Sequence, residues 1–151
     1  MAILREDPYG AFNYQVVISP QAGNEVRGGF SEVTGLGTEI TFAEYRDGTD
    51  TANRPRKVAL TYKATDVTLK RGLLGALDLW KWADLVRKGD QKAKATIIIK
   101  LLSEDREQTV ATWKLVNARP SKWTGPSLNA KGGSDVAMEE LALNCEDIEF
   151  E

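Results

Sequence analysis

The sequence predicts a mainly β fold with one α-helix: an antiparallel β-barrel or sandwich capped by that helix. Two observations carry this. Several segments alternate apolar and polar residues with period two and end in Gly, Pro, Asn or Ser, the pattern of half-buried strands. A single stretch switches to the 3.6-residue period of an amphipathic helix.

The elements follow in order. Tyr14–Ile18 stops at Ser19-Pro20, and a turn bearing Gly23 and Asn24 leads to a second strand over Val26–Val33. Thr38–Tyr45 sets Ile40 and Phe42 against Glu39 and Thr41. Val58–Arg71 reads as one long strand, with Val67 and Leu69 opposed to Asp66, Thr68 and Lys70. Leu73–Lys88 is the helix. Ala76, Leu79, Ala83 and Val86 form its stripe with Trp82 beside them, and Asp78 near the start and Arg87 and Lys88 near the end suit the helix dipole. Gly89 supplies the left-handed stop.

Ala95–Leu102 holds three consecutive Ile, which predicts a strand covered on both faces. Thr109–Asn117 follows a polar turn, and Pro120 predicts a bulge or bend because it cannot donate to a ladder. Val136–Asn144 stays open between helix, by the propensity of its Glu and Leu, and strand, by the alternation of Leu141, Leu143 and Cys145.

A chain of 151 residues with 42% hydrophobic content sustains a single domain over 1–151, burying roughly 70% of its unfolded surface. No apolar run reaches the roughly 18–20 residues that span a bilayer, so no stable membrane insertion is expected. MAILREDPYG carries acidic residues where a signal peptide needs an apolar stretch, which predicts synthesis in the cytoplasm without a leader. The lone Cys145, in step with Leu141 and Leu143, reads as a small buried hydrophobe.

The net charge of −2 conceals polarity. Residues 1–50 carry 3 basic and 8 acidic side chains, 51–100 carry 12 and 4, and 101–151 carry 5 and 10. A protein that stacks on copies of itself through unlike faces uses such polarity. Nucleic-acid binding is the weaker reading of the basic middle, because its aromatics Tyr62, Trp80 and Trp82 sit on packing periodicities.

Catalytic chemistry finds little support. With 0 His, the Ser-His-Asp and Cys-His pairs and imidazole metal ligands are excluded. The carboxylate neighbours Glu104/Asp105 and Glu139/Glu140 would point to opposite faces of a strand. Gly35-Leu36-Gly37 lacks the third glycine and following helix of a dinucleotide site and reads as a turn or bulge. The oxygen-rich run Asp47–Asn53 departs from EF-hand spacing and lacks the bidentate Glu. No enzyme activity, cofactor or metal is expected. Trp113, Trp123 and the Thr124-Gly125-Pro126 turn read as strand-end anchors, with a carbohydrate platform as the sharper alternative.

The segment Glu44–Lys57, EYRDGTDTANRPRK, is the main candidate site. It packs three acidic and four basic side chains between two strands and is too long for a tight hairpin. A solvated loop is the plain reading.

Ordered blocks then carry a family resemblance: REDPYGAFNY from Arg5, GGFSEVTGLGTEITFAEYRDG from Gly28, VTLKRG from Val67, LWKW from Leu79, WKLVNARPSKWTGPSLNA from Trp113 and DVAMEELAL from Asp135. Together they resemble the tail-tube proteins of contractile phage tails and extracellular contractile injection systems, related in fold to the type VI secretion ring protein. The resemblance implies a structural, non-enzymatic subunit of stacked homohexameric rings whose lumen holds or conducts cargo. It implies partners too: a sheath, baseplate or spike proteins and a tube terminator. It makes Val136–Asn144 a strand. It also implies that the arm around Glu44, Tyr45, Arg46, Asp47, Asp50, Arg54, Arg56 and Lys57 reaches an adjoining subunit or ring, its cations pairing with acidic groups there. The helix would sit on the outer wall, with Lys81, Asp84 and Lys88 facing the sheath. Closing strand edges against neighbours in a ring would remove exposed ladders. The rival from another class is a monomeric β-sandwich binding module, for carbohydrate or another surface ligand.

Overall fold

The computed structural model describes residues 5–20, 26–75 and 77–151. Among them run β1 (Tyr14–Pro20), β2 (Val26–Gly28), β3 (Glu32–Thr34), β4 (Thr38–Tyr45), β5 (Arg56–Ala64) and β6 (Val67–Gly72). Next come α1 (Asp78–Arg87), β7 (Ala95–Leu102), β8 (Thr109–Thr124), β9 (Met138–Asn144) and β10 (Asp147–Phe150).

Every pairing is antiparallel, so the mainly β class with one helix stands. One 8-stranded sheet has the order β2-β1-β7-β8-β9-β6-β3, with β9 and β10 paired successively along β8. The expected closed barrel is not found: β2 and β3 end the order and are not paired with each other. They are nonetheless tethered by Gly29-Phe30-Ser31. At no more than roughly 3.6 Å per residue this strap holds the two rims within about 14 Å. The Tyr14 hydroxyl donates to the Phe30 carbonyl at 2.7 Å, and the Ser31 amide to the Lys70 carbonyl at 2.8 Å. The strap is therefore bonded to β1 on one side and to β6 on the other.

Alternation puts one side of each long strand into a common core. Val16 and Ile18 of β1, Ile97 and Ile99 of β7, Leu115 of β8, Leu141 and Leu143 of β9 and Val67 and Leu69 of β6 join one cluster, so the sheet wraps around it. Each such side chain contributes roughly 1.5–3 kcal/mol by leaving water. Ile98 is only half-buried, so the Ile run is fully covered on one face, not on both. Cys145 is buried as expected, and loss of hydration raises its thiol pKa.

Several boundaries differ from the sequence reading. The strand expected over Val26–Val33 is split by the strap into β2 and β3. The long strand Val58–Arg71 breaks at Thr65–Asp66. There the Thr65 hydroxyl reaches the Gly35 carbonyl at 2.6 Å and the Gly37 carbonyl at 3.0 Å. Gly35 is a turn glycine at φ +86, where a Cβ would lie 2.1 Å from the Asp66 carbonyl oxygen. The bulge expected near Pro120 exists, as a register shift between Pro120 and Lys122. β8 nevertheless continues through it to Thr124. Val136–Asn144 is a strand from Met138, and β10 was not signalled by any pattern.

The helix begins at Asp78 instead of Leu73. Gly75 sits at φ +82, and the Leu73 amide donates to the Ala137 carbonyl at 2.9 Å, so that stretch extends the β6–β9 ladder before the chain turns. Gly89, at φ +83, terminates the helix as expected. Leu79 and Ala83 enter the core, while Trp82 and Val86 are half-buried. Ala76, the first residue of the expected stripe, lies outside the described residues.

Candidate assembly interface

β4 and β5 form a separate 2-stranded sheet, an arm between β3 and β6. Its residues are exposed almost throughout. The expectation of half-buried strands here fails within this chain. Ile40, Phe42, Tyr45, Val58, Leu60 and Tyr62 are exposed by 46–61%. The alternation of Ile40 and Phe42 with Glu39 and Thr41 marks a half-buried face, and the described residues of this chain do not cover it.

A bulge distributes them. Ile40 pairs with Tyr62 but Phe42 pairs with Ala59, so β5 carries an extra residue opposite Thr41. Register then places Ile40, Phe42, Ala59 and Tyr62 on one face and Ala43, Tyr45 and Val58 on the other. Without the bulge, Val58 would share the face of Tyr62 and one side of the arm would be nearly polar. As it stands, apolar groups meet water on both sides. A lone pair of strands is marginal in water and requires packing against something else.

The tip is ordered by its own polar groups. The Asp47 carboxylate accepts from the Thr49 amide at 2.9 Å and hydroxyl at 2.6 Å, and these bonds lower its pKa. Arg46 donates to the Ala52 carbonyl at 3.1 Å. Arg56 pairs with Asp50 at 2.7 Å, the Asp50 side chain being only 11% exposed. Thus Arg46, Asp47, Asp50 and Arg56 are brought together into a turn. Glu44 and Lys57 face each other across the ladder. Arg54 and Lys57 are exposed and hold no ion pair among the described residues.

On α1, Lys81 and Lys88 are exposed. Asp84 is half-buried, with Lys88 at 2.9 Å and Arg87 at 3.5 Å; the Lys88 bond first, and then both charges, hold its pKa below the usual range.

The start of α1 is fixed by a network that sequence reasoning did not assemble. Arg71 of β6, nearly buried, donates to Glu139 of β9 and pairs with Asp78. The Trp123 indole donates to the other Glu139 oxygen at 3.3 Å. Loss of hydration opposes the Arg71 charge, but the bonds to Asp78 and Glu139 outweigh it and its pKa rises. The Asp78 pKa falls, chiefly through its bond to Arg71. Reading Glu139 with its neighbour Glu140 obscured this, because its partner lies 68 residues away.

An arm with two apolar faces and a charged, ordered tip has the form of an assembly element. The family model of the T4-like virus tail tube protein gp19 matches residues 10–149. The chain belongs to that family. Tail tube proteins of this family are structural, which agrees with the non-enzymatic reading of the sequence. The anti-feeding prophage baseplate, resolved with 6-fold symmetry, contains a chain with TM-score 0.86 and 24% identity, covering 97% of both chains. A chain of the PVC extracellular contractile injection system, from its sheath-tube complex in the extended state, has 26% identity and TM-score 0.83. That match covers 97% of this tail tube protein and 93% of its counterpart. Hcp1 from Flavobacterium johnsoniae shares the fold at TM-score 0.53 and 14% identity, over 91% and 93% of the two chains. A search of curated proteins returns no match. No helix among the described residues is long and apolar enough to cross a membrane.

Proposed function

We propose that this tail tube protein is the inner-tube subunit of a contractile injection system or phage tail, one domain per subunit. Its copies form hexameric rings that stack into a conduit whose lumen holds or passes cargo. A sheath, baseplate or spike proteins and a terminator are its partners. The observation that carries this is the β4–β5 arm, a 2-stranded sheet whose apolar side chains on both faces are exposed.

In this reading the arm is buried between copies, and Tyr45, Glu44, Arg54 and Lys57 meet the adjoining subunit or ring. Arg46, Asp47, Asp50 and Arg56 shape the tip that is presented. Lys81, Asp84 and Lys88 on α1 face the sheath. Sedimentation and negative-stain microscopy of the purified protein, alone and with sheath or baseplate proteins, test it. Rings or stacks are expected, and a strictly monomeric species under all these conditions would refute it.

A further inference from the structure

The tip of the arm carries the single Asp-Gly step of the chain: Asp47 is followed by Gly48, no other Asp is followed by Gly, and no Asn is. At such a step the main-chain nitrogen after the aspartate can attack its side chain, because glycine has no Cβ to stand in the way. Gly48 is exposed, and its amide takes part in no hydrogen bond among the described residues. Neither conformation nor space demands glycine at this position. Its φ lies outside the left-handed region, and a Cβ would meet nothing within 4 Å.

What stands against the reaction is Thr49. Its amide at 2.9 Å and its hydroxyl at 2.6 Å both donate to the same oxygen, Oδ1 of Asp47. Two donors on one carboxylate oxygen favour the ionised form. They also hold the side chain against residue 49 instead of over the Gly48 nitrogen. The reaction requires the opposite: a protonated carboxyl, which is the better electrophile and has the better leaving group, swung onto that nitrogen.

We propose that Asp47 is a site of spontaneous isomerisation to isoaspartate and that the Thr49 hydroxyl is the catch that restrains it. When the catch opens, the Gly48 nitrogen bonds to Asp47 Cγ while the carboxyl C–OH bond breaks. The hydroxyl leaves with the amide proton as water, closing a five-membered succinimide. Water then adds to either ring carbonyl. Opening at Cγ restores aspartate. Opening at the main-chain carbonyl routes the backbone through Cβ and Cγ and frees the former main-chain carbonyl as the carboxylate. Nothing is oxidised or reduced, and the mass is unchanged. The longer main chain separates groups that close the tip: the Asp47 amide donates to Asp50 Oδ2 at 3.2 Å, and the Asp47 carbonyl accepts from the Asp50 amide at 3.3 Å. Asp50 in turn holds Arg56. An isomerised tip therefore loses its shape; that this also blocks assembly rests on the tube reading.

The test ages the free subunit for weeks at neutral pH, below its melting temperature, beside a synthetic peptide of residues 44–57. Isoaspartate is counted by enzymatic methyl transfer to its free carboxylate and located by tandem mass spectrometry. Wild type should convert more slowly than the peptide, and at Asp47 ahead of the other aspartates. Thr49→Val keeps the branched shape, loses the hydroxyl and should convert about tenfold faster, the factor that a hydrogen bond to a charged group carries. Thr49→Ser keeps the hydroxyl and should match wild type. Gly48→Ala, for which there is room, should convert least. Urea unfolding checks that all three variants are folded. Wild type as fast as the peptide, Thr49→Val no faster than wild type, Thr49→Ser as fast as Thr49→Val, or isoaspartate elsewhere with Asp47 intact overturns the proposal. Aged Thr49→Val should then lose the rings and stacks that aged Gly48→Ala keeps, and equal assembly by the two overturns the consequence drawn for the tip. Fresh wild-type protein that forms no ring refutes the tube reading instead, while the conversion rates still decide the chemistry.

Discussion

Neutralising Glu139 should weaken the whole molecule, and by an amount the network sets. Its side chain is 2% exposed and that of Arg71 is 8% exposed, so Glu139→Gln takes one carboxylate partner from a cation in the interior. Stripping one partner from a buried ion pair costs about 3–5 kcal/mol. Asp78 is 31% exposed and already bonded to Arg71, so part of the compensation survives. The expected loss is therefore about 3 kcal/mol, the low end of that range. For a chain of this length that is roughly 6–12 °C in Tm. Replacing both members, Arg71→Met with Glu139→Leu, removes the stranded charge and frees Asp78 into water, and should recover most of the loss. Urea denaturation at low protein concentration, where association adds nothing, gives both values. A single mutant within about 0.5 kcal/mol of wild type, the range of an ordinary surface change, would refute the reasoning. So would a double mutant as weak as the single.

Reversing Arg54 and Lys57 to Glu should leave the monomer's unfolding curve unchanged and block tube formation, since interfacial charges without partners cost roughly 2–5 kcal/mol; normal tubes on microscopy would contradict it. Arg56→Glu should additionally disorder the tip, seen as faster proteolysis near Asp50, because Arg56 holds that carboxylate. Leu79→Ala should cost about 2–5 kcal/mol in the same denaturation experiment, whereas Leu77→Ala, at an exposed position, should cost under about 0.5 kcal/mol. Glu104 takes a bidentate contact from Arg5 that pulls its pKa to about 2. A depressed carboxylate stabilises above its unfolded value and loses that contribution as pH falls. The Arg5 segment should therefore loosen between the ordinary value of 4.5 and about 2, followed by NMR shifts of Gly10. Constancy across that window would argue against the clamp.

Much of the fold was legible because short-range patterns report it. β7 was readable to its ends; the helix was readable at its Gly89 stop though not at its start, and the Pro120 bulge was readable too. What was not legible depends on partners distant in sequence. Helix propensity runs on from Leu73, but Leu73 is taken by Ala137 and only a left-handed Gly75 turns the chain. Thr65 breaks a continuous alternation because it is bonded to Gly35 and Gly37. The charged residues of the arm were visible as a cluster. The pairing of Arg56 with Asp50 inside the tip, and the bulge that sends Val58 and Tyr62 to opposite faces, were not. Both need the register, which alternation alone does not supply.

The strap between β2 and β3 gives the molecule a clasp. Around most of the circumference, strands are locked by ladders whose bonds must break together. At the clasp, two rims are linked by covalent chain and by a pair of tethers, Tyr14 to Phe30 and Ser31 to Lys70. With fewer bonds to break than a ladder, the clasp should be the first part of the wrapped sheet to give under load. Under axial thrust or sideways shear, slack would be taken up at Gly29 and Ser31, with Phe30, 9% exposed, as the plug that keeps water out while the gap changes. Tyr14→Phe, which cuts one tether without altering the packing, would make the clasp softer and leave every ladder intact.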